Sequence, residues 1–486
     1  MKFEDAIKNE VRETVTENGQ RALNSTGNNC LDFFAVAGAL RQADKDRITR
    51  LFEDAYNEDA LLATKTLFYL RDVRGGLGER DTFRTILNYA ADNHPEAVIK
   101  NLRLIAEFGR WDDLYSLVGT YLEDAMWALV KEQLDKDITN MYAKKPVSLL
   151  AKWLKTADAS SENTRKQGIN TAIKLGYKVY DYKRIIKALR KYIDVTEVKM
   201  SQNKWDEINY SAVPSKAMTN YRNAFYRHDE EGFRDYTNKV VRGEEKINAS
   251  TLYPYDIIEK FIYYNMNGID DNENKILNAQ WNALPNYVEE GNVIVMADTS
   301  GSMTGRPLNT AISLAIYFAQ RNTGAYHNLW MSFSRNPKFH KIKGKGLEQI
   351  IKSIDYRDWE MNTDLNKAME KILEVAIKNH VAPEDLPKSL VVISDMEIDA
   401  CTGELFHDHL VEMYEKAGYV LPNIIFWNVQ SRHDTLHADA KRRGVQLVSG
   451  SSPSVFAHTM KIIDMTPVEA MLEILNSERY SCIEVA

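Results

Sequence analysis

The sequence predicts two kinds of architecture in tandem: an all-helical N-terminal solenoid followed by a doubly wound α/β domain. Apolar residues recur at helical spacing from about residue 30 to 282. From Val293 onward, short apolar runs alternate with amphipathic stretches, as in a parallel sheet covered by helices. Between the two, residues 282–292 (NALPNYVEEGN) carry a Pro, a Gly and an acidic pair, the composition of a boundary. The expected domains are therefore residues 1–285 and 291–486.

In the helical half, Leu61, Leu62, Lys65, Phe68 and Tyr69 share one face, widened by Leu67 and Leu70. Val98-Leu102-Ile105-Ala106 and Leu149-Leu150-Trp153-Leu154 repeat the pattern. The breaks at 74–78, 93–95, 108–110 and 176–177 are short, so neighbouring helices run antiparallel and stack in pairs, as HEAT-like repeats do. No strict repeat period is present. The stretch RGGLGER at 74–80 joins two helices and lacks the G-x-x-x-x-G-K-[ST] spacing. It reads as a turn whose glycines take positive φ, and without a phosphate loop no nucleotide hydrolysis is expected.

In the second half, the run 293–297 reads as a strand buried on both faces. A helix follows from Pro307 to Arg321, then a strand at 328–333, a hairpin-like PKFHKI at 337–342 and a helix near 346–354. Further elements are a helix from Thr363 to about Asn379, a strand at 390–394, a helix at 404–417 and strands at 424–428 and 445–449. Thr466-Pro467-Val468-Glu469 is a capping box that opens a last helix ending near Asn476.

The first of these strands ends in D-x-S-x-S. Asp298, Ser300 and Ser302 thus place three oxygen side chains in one tight turn at the carboxyl edge, where open α/β sheets bind ligands. A carboxylate with two hydroxyls suits a hard cation, Mg²⁺ or another divalent ion. Thr363 and Asp395 follow in order, and the five resemble the metal-ion-dependent adhesion site of von Willebrand factor A domains. The resemblance implies a Rossmann-like domain in which Ser300, Ser302 and Thr363 meet the ion and the aspartates act partly through water. Ser300 and Ser302 do not fit G-x-S-x-G, so serine hydrolysis is not indicated.

Hydrophobic content of 44% and charged content of 27% describe a globular chain, and no apolar run reaches the length of a membrane span. The acidic, amphipathic start MKFEDAIKNEVRETV is not expected to be a secretory leader. Cys30, Cys401 and Cys482 form no C-x-x-C pair, which points to reducing cytoplasm. Net charge is −7, with 42 basic and 45 acidic side chains up to residue 290 and 20 and 24 beyond it. Neither half is a polycation, so any binding of nucleic acid has to use a local patch.

The densest patch is 165–191, with nine Lys or Arg against Asp181 alone. A helical wheel puts Tyr182, Ile185, Ile186, Leu189 and Ile193 on one side and Lys183, Arg184, Lys187, Arg190 and Lys191 on the other. Lys174 and Lys178 precede them, and Tyr177 and Tyr180 are available to stack on bases. A solvated face on a helical repeat and a phosphate-contacting stripe both fit this pattern.

FYLRDVRGGLGER at 68–80, FGRWDDL at 108–114, SLLAKWL at 148–154 and YKRIIKALRKY at 182–192, together with the metal motif, resemble the Ro ribonucleoprotein (TROVE) layout. They are closer still to a sister family from phages, plants and fungi. The resemblance covers roughly residues 60–480. It implies a non-catalytic RNA-binding protein that takes RNA with a single-stranded portion on the basic stretch. The alternative is a scaffold whose metal takes a carboxylate from an acidic protein ligand. A lone Mg²⁺ among hydroxyls is poor equipment for a phosphoesterase.

Overall fold

A six-stranded sheet organises the second half of the chain. In the computed structural model, which describes residues 12–264, 269–288, 292–333, 336–354, 364–400, 406–459 and 464–485, a small hairpin of β1 (Glu13–Val15) and β2 (Arg21–Leu23) precedes it. The sheet contains β3 (Val293–Asp298), β4 (Leu329–Phe333), β5 (Lys338–Lys341), β6 (Ser389–Ser394), β7 (Asn423–Asn428) and β8 (Val445–Ser449). Their order is β5-β4-β3-β6-β7-β8, all parallel except β5, which runs antiparallel on the β4 edge. Every residue of β3 and β6 is buried, so both faces of the sheet centre are covered. This is the doubly wound, Rossmann-like class expected, after a helical first half.

Helix ends follow local chemistry. Gly305, at φ 91°, precedes the helix Arg306–Arg321, and Pro307 sits in its first turn, where a missing N–H is harmless. Thr466 and Glu469 form the expected capping box of Pro467–Leu475. Asp364 caps Leu365–Lys378, one residue beyond the expected start, and Thr363 lies outside the described residues.

Packing divides the chain differently from its helix-to-strand transition at 285–291. One compact unit joins Met1–Thr82 with Ala249–Cys482, and the other joins Phe83–Asn248 with Ile483–Ala486. In the first unit, Leu23 exchanges backbone hydrogen bonds with Leu436 at 2.9 and 2.8 Å. Gly38 donates to Ser449 Oγ at 3.0 Å, and a Cβ there would lie 2.8 Å from the Ser449 carbonyl, so only glycine allows that approach. The helices Asn29–Val36 and Ala60–Arg71 meet through Phe34 stacked on Tyr69 at 5.3 Å. Pro254–Tyr264 and Asp271–Asn282 belong to the same unit, where Trp281 Nε1 donates to Gln320 at 2.7 Å.

The RGGLGER stretch is a turn between helices, as expected, but of its three glycines only Gly78 takes positive φ, at 66°. Gly76 is needed for a second reason, since a Cβ would lie 2.1 Å from the Tyr69 carbonyl oxygen. Ahead of this turn, the buried carboxylate of Asp72 accepts from Arg479 Nε and from Arg479 Nη2 at 2.6 Å, and from the Tyr480 hydroxyl at 3.0 Å. Burial pushes the Asp72 carboxyl up, but the Arg479 hydrogen bonds and the Arg74 and Gly75 amides outweigh it, leaving its pKa below the ordinary value.

The second unit is helical, with Tyr210, Phe225, Phe233 and Tyr236 forming an aromatic core at centroid separations from 5.1 to 6.3 Å. Cys30 is buried and Cys482 exposed, both unbridged, while Cys401 is outside the described residues. No described helix is long and apolar enough to cross a membrane.

Asp72→Ala should cost the full chain about 2–3 kcal/mol, because it leaves the buried Tyr480 hydroxyl and the Arg74 amide without their acceptor. Urea unfolding measures this, and a loss below about 1 kcal/mol contradicts the clamp. With its folded pKa depressed, Asp72 contributes stability above its unfolded pKa that disappears as pH falls through the folded value. The variant should therefore lose less stability on acidification than the parent.

Candidate metal centre and basic face

The parallel register of β3 and β6 pairs Ala297 with Ile393, which brings the loops that follow these strands side by side. Asp298 is fully buried: its Oδ1 accepts from the Ser300 amide at 2.8 Å and its Oδ2 from the Ser394 hydroxyl at 2.6 Å. Ser300 and Ser302 hydroxyls lie 3.1 Å apart, and Ser302 also hydrogen-bonds the buried Asp395. Four of the five sequence-predicted ligands therefore converge. Ser302 is exposed and faces solvent, while Asp298, Ser300 and Asp395 are buried.

Burial first, and then the charge of Asp395, raise the Asp298 carboxyl well above the ordinary range. Burial likewise raises Asp395. Two carboxylates held together out of water favour a shared cation, and every donor present is a hard oxygen, so the set fits Mg²⁺. The loop after β6 is held in an uncommon conformation: Met396 has φ 68°, its amide donates to Ser394 Oγ at 3.0 Å and its carbonyl lies 2.9 Å from His437 Nε2.

Sequence reasoning missed the shell around Asp395. Its Oδ1 accepts from the Glu397 amide at 3.2 Å and its Oδ2 from Arg432 Nη2 at 3.0 Å. Arg432 Nη1 also meets Glu17 at 2.8 Å. Glu17, Glu397 and His433 bring ligand-type atoms within 4.8 Å of one another. The Glu397 carboxylate, however, already accepts from the Glu17 amide, faces His433 Nδ1 at 3.1 Å and accepts from Thr435 Oγ1 at 3.2 Å. Residues 432–435 and the distant Glu17 meet the 395–397 loop to build this shell, and nothing in local spacing signals it.

In the helical unit, the basic helix is Val179–Tyr192, with Tyr182, Ile186 and Leu189 buried. Lys183, Arg184, Lys187 and Lys191 are exposed, as expected. Arg190 departs from the expected stripe. Its guanidinium turns inward, donating to the carbonyls of Ala151 at 2.8 Å, Lys152 at 3.3 Å and Leu154 at 2.8 Å, and burial lowers its pKa. Lys174 is committed to Glu123 at 2.9 Å, and its hydrogen bond heads the causes that hold the Glu123 carboxyl at about 2. Tyr177 is engaged by Lys131, whose ammonium stands 4.9 Å from the ring centroid, and by Asp135. Tyr180 is 74% exposed and Lys178 is exposed, both open to a ligand. Tyr192 donates to the Lys145 carbonyl at 2.9 Å, which brings the exposed Lys144, Lys145 and Tyr142 to the end of the stripe. Those three were visible in the sequence as M-Y-A-K-K but lie outside the charge-dense window.

A model described as a domain of unknown function (DUF2828) matches residues 16–163 and 147–292, and one described as DUF7788 matches residues 292–478. The protein L728 of Acanthamoeba polyphaga mimivirus, titled uncharacterised, is 25% identical over 508 aligned positions, spanning 95% of this chain and 87% of its own. Among solved structures, the Ro (RSR) protein of Deinococcus radiodurans aligns over 89% of this chain and 99% of its own, at 15% identity and a TM-score of 0.34.

Asp298→Ala removes a buried charge without opening the sheet, so the variant should stay folded and lose Mg²⁺-dependent stabilisation. At a hundredfold excess over Kd that stabilisation is about 2.7 kcal/mol in the parent. Thermal unfolding with and without Mg²⁺ checks it, and an unchanged Mg²⁺ response in the variant removes Asp298 from the site. Arg190→Gln should instead cost about 3 kcal/mol in urea unfolding, since three carbonyls lose a charged donor.

Proposed function

We propose that this chain, which belongs to the DUF2828 family, is a non-catalytic RNA-binding protein whose second half, of von Willebrand factor A type, carries a Mg²⁺ ion. The observation that carries the RNA reading is the outward row Arg184, Lys187 and Lys191. All three are exposed, and none has an ion-pair partner among the described residues. Lys183 sits beside them, 3.4 Å from Asp158 in an exposed pair that costs little to break. Evenly spaced cations on a rigid helix fit a phosphate backbone, and Tyr180 and Tyr142, 74% and 81% exposed, offer rings to unstacked bases. An acidic chain can bind this way because salt confines each charge to neighbours within about 8 Å.

At the metal, Asp298, Ser300, Ser302, Thr363 and Asp395 would hold the ion, which supplies an electrophilic point for an oxygen ligand. Exposure of Ser302 beside the buried Asp298, Ser300 and Asp395 also supports the scaffold reading, in which an acidic protein ligand completes the coordination. The two described cysteines, both unbridged, fit a cytoplasmic setting.

Replacing Arg184, Lys187 and Lys191 together by Gln should weaken single-stranded RNA binding across sequences. It should also flatten the slope of log K against log salt by about 2, at roughly 0.7 per phosphate contact. Filter binding over a salt series decides it, and an unaltered slope means the row is only a solvated face. Asp298→Ala should leave RNA affinity unchanged while abolishing recruitment of an acidic ligand.

A further inference from the structure

We propose that Arg432 is an internal counter-ion coupling the metal site to the N-terminal hairpin, so that divalent-ion binding and hairpin docking oppose each other. The inference rests on the metal reading above and adds to it a form of regulation.

Arg432 stands between two carboxylates. Its Nη2 lies 3.0 Å from Asp395 Oδ2 and its Nη1 2.8 Å from Glu17 Oε2, while Nε is buried without a hydrogen-bond partner. The guanidinium is therefore held by one residue of the metal set and one residue of the turn between β1 and β2.

That turn is fastened to the loop that carries Asp395. Thr16 Oγ1 donates to the Ile398 carbonyl at 2.6 Å, the Glu17 amide to Glu397 Oε2 at 2.6 Å and Asn18 Nδ2 to the Glu397 carbonyl at 2.8 Å. The Ala400 amide returns a bond to the Asn18 carbonyl at 3.2 Å, beside a bridge between Gly19 and Asp399. The hairpin thus grips residues 397–400, and Arg432 extends the grip to Asp395.

The sign of the coupling follows from charge. Arg432 partly neutralises Asp395, which lowers the attraction of the paired carboxylates for a cation. A divalent ion that draws on Asp395 weakens its bond to Arg432 and so removes one of the hairpin's anchors. Linkage is reciprocal, so what the hairpin bond takes from ion affinity, the ion takes from hairpin docking. A merely structural ion pair would leave both quantities independent of each other.

Two measurements on the full chain test this. Calorimetric Mg²⁺ titration compares wild type, Arg432→Gln and Asp298→Ala, and hydrogen exchange follows residues 13–24 without and with saturating Mg²⁺. The expected result is Mg²⁺ affinity at least about fivefold tighter in Arg432→Gln, the low end of ordinary coupling. Wild-type hairpin exchange should speed up in Mg²⁺. Asp298-dependent binding with hairpin exchange unchanged or slowed overturns the coupling and leaves the metal reading standing, as does unchanged affinity in a folded Arg432→Gln. Absence of Asp298-dependent heat in wild type overturns both. The wild-type exchange measurement decides the matter even if the Arg432 variant fails to fold.

Discussion

The α/β half depends on one register. Because β3 and β6 pair in parallel with Ala297 opposite Ile393, two strands that are buried throughout end together, β3 on Asp298 and β6 just before Asp395. The same register sets Ser394 against Asp298 at 2.6 Å and leaves the Ser300 and Ser302 hydroxyls between the carboxylates. A slip by one residue would turn every side chain of β3 to the other face and scatter the set. The cost of holding two carboxylates out of water is met locally by amides and hydroxyls, and by Arg432. The positive charge these carboxylates still lack is the physical ground for the proposed cation.

Long-range pairing secures the sheet's other edge. Residues 12–82 precede β3 by some two hundred positions yet belong to the sheet's compact unit, and the polar links are specific: Gly38 with Ser449, Arg47 with Ser431 and Asp434, Lys65 with Asn476, Asp72 with Arg479 and Tyr480. An α/β sheet exposes unpaired amides along an edge strand. Here the contacts of Gly38 and of the segment around it cover β8. Such a unit forms only after the intervening chain has been made, which implies slow, non-local folding.

Much of this was legible in the sequence because period and capping are local. The strands fell within a residue or two of expectation, the capping box at Thr466 formed as read, and four of the five residues grouped from the sequence lie together. The β1–β2 hairpin was not legible, since three-residue strands leave no usable period and their pairing partners lie near residues 399 and 436. The same holds for Arg432 and Glu17, whose partners lie outside any local spacing. Arg190 was misplaced for a different reason. On the wheel it sits about 40° from Ile186, at the border of the buried stripe, where a long side chain can turn either way. Three free carbonyls at the end of a short helix decided the matter.

The motifs that carried the family resemblance are, in the structure, mostly clamps. Asp72 binds Arg479, and Glu79 meets Arg41 at 2.7 Å. Asp113 caps its own turn and pairs with Arg84, Trp153 lies under Arg110 at 4.3 Å, and Arg190 closes the carbonyls of Ala151 to Leu154. Such residues report that a fold is shared, because each is fixed by several partners at once and tolerates little change. They say little about what the fold binds, since their polar atoms are already spent. The residues with capacity left are Arg184, Lys187, Lys191 and Tyr180 of one exposed helix face. Function in this chain is therefore to be sought where partners are missing, in the side chains that the fold positions but does not itself use.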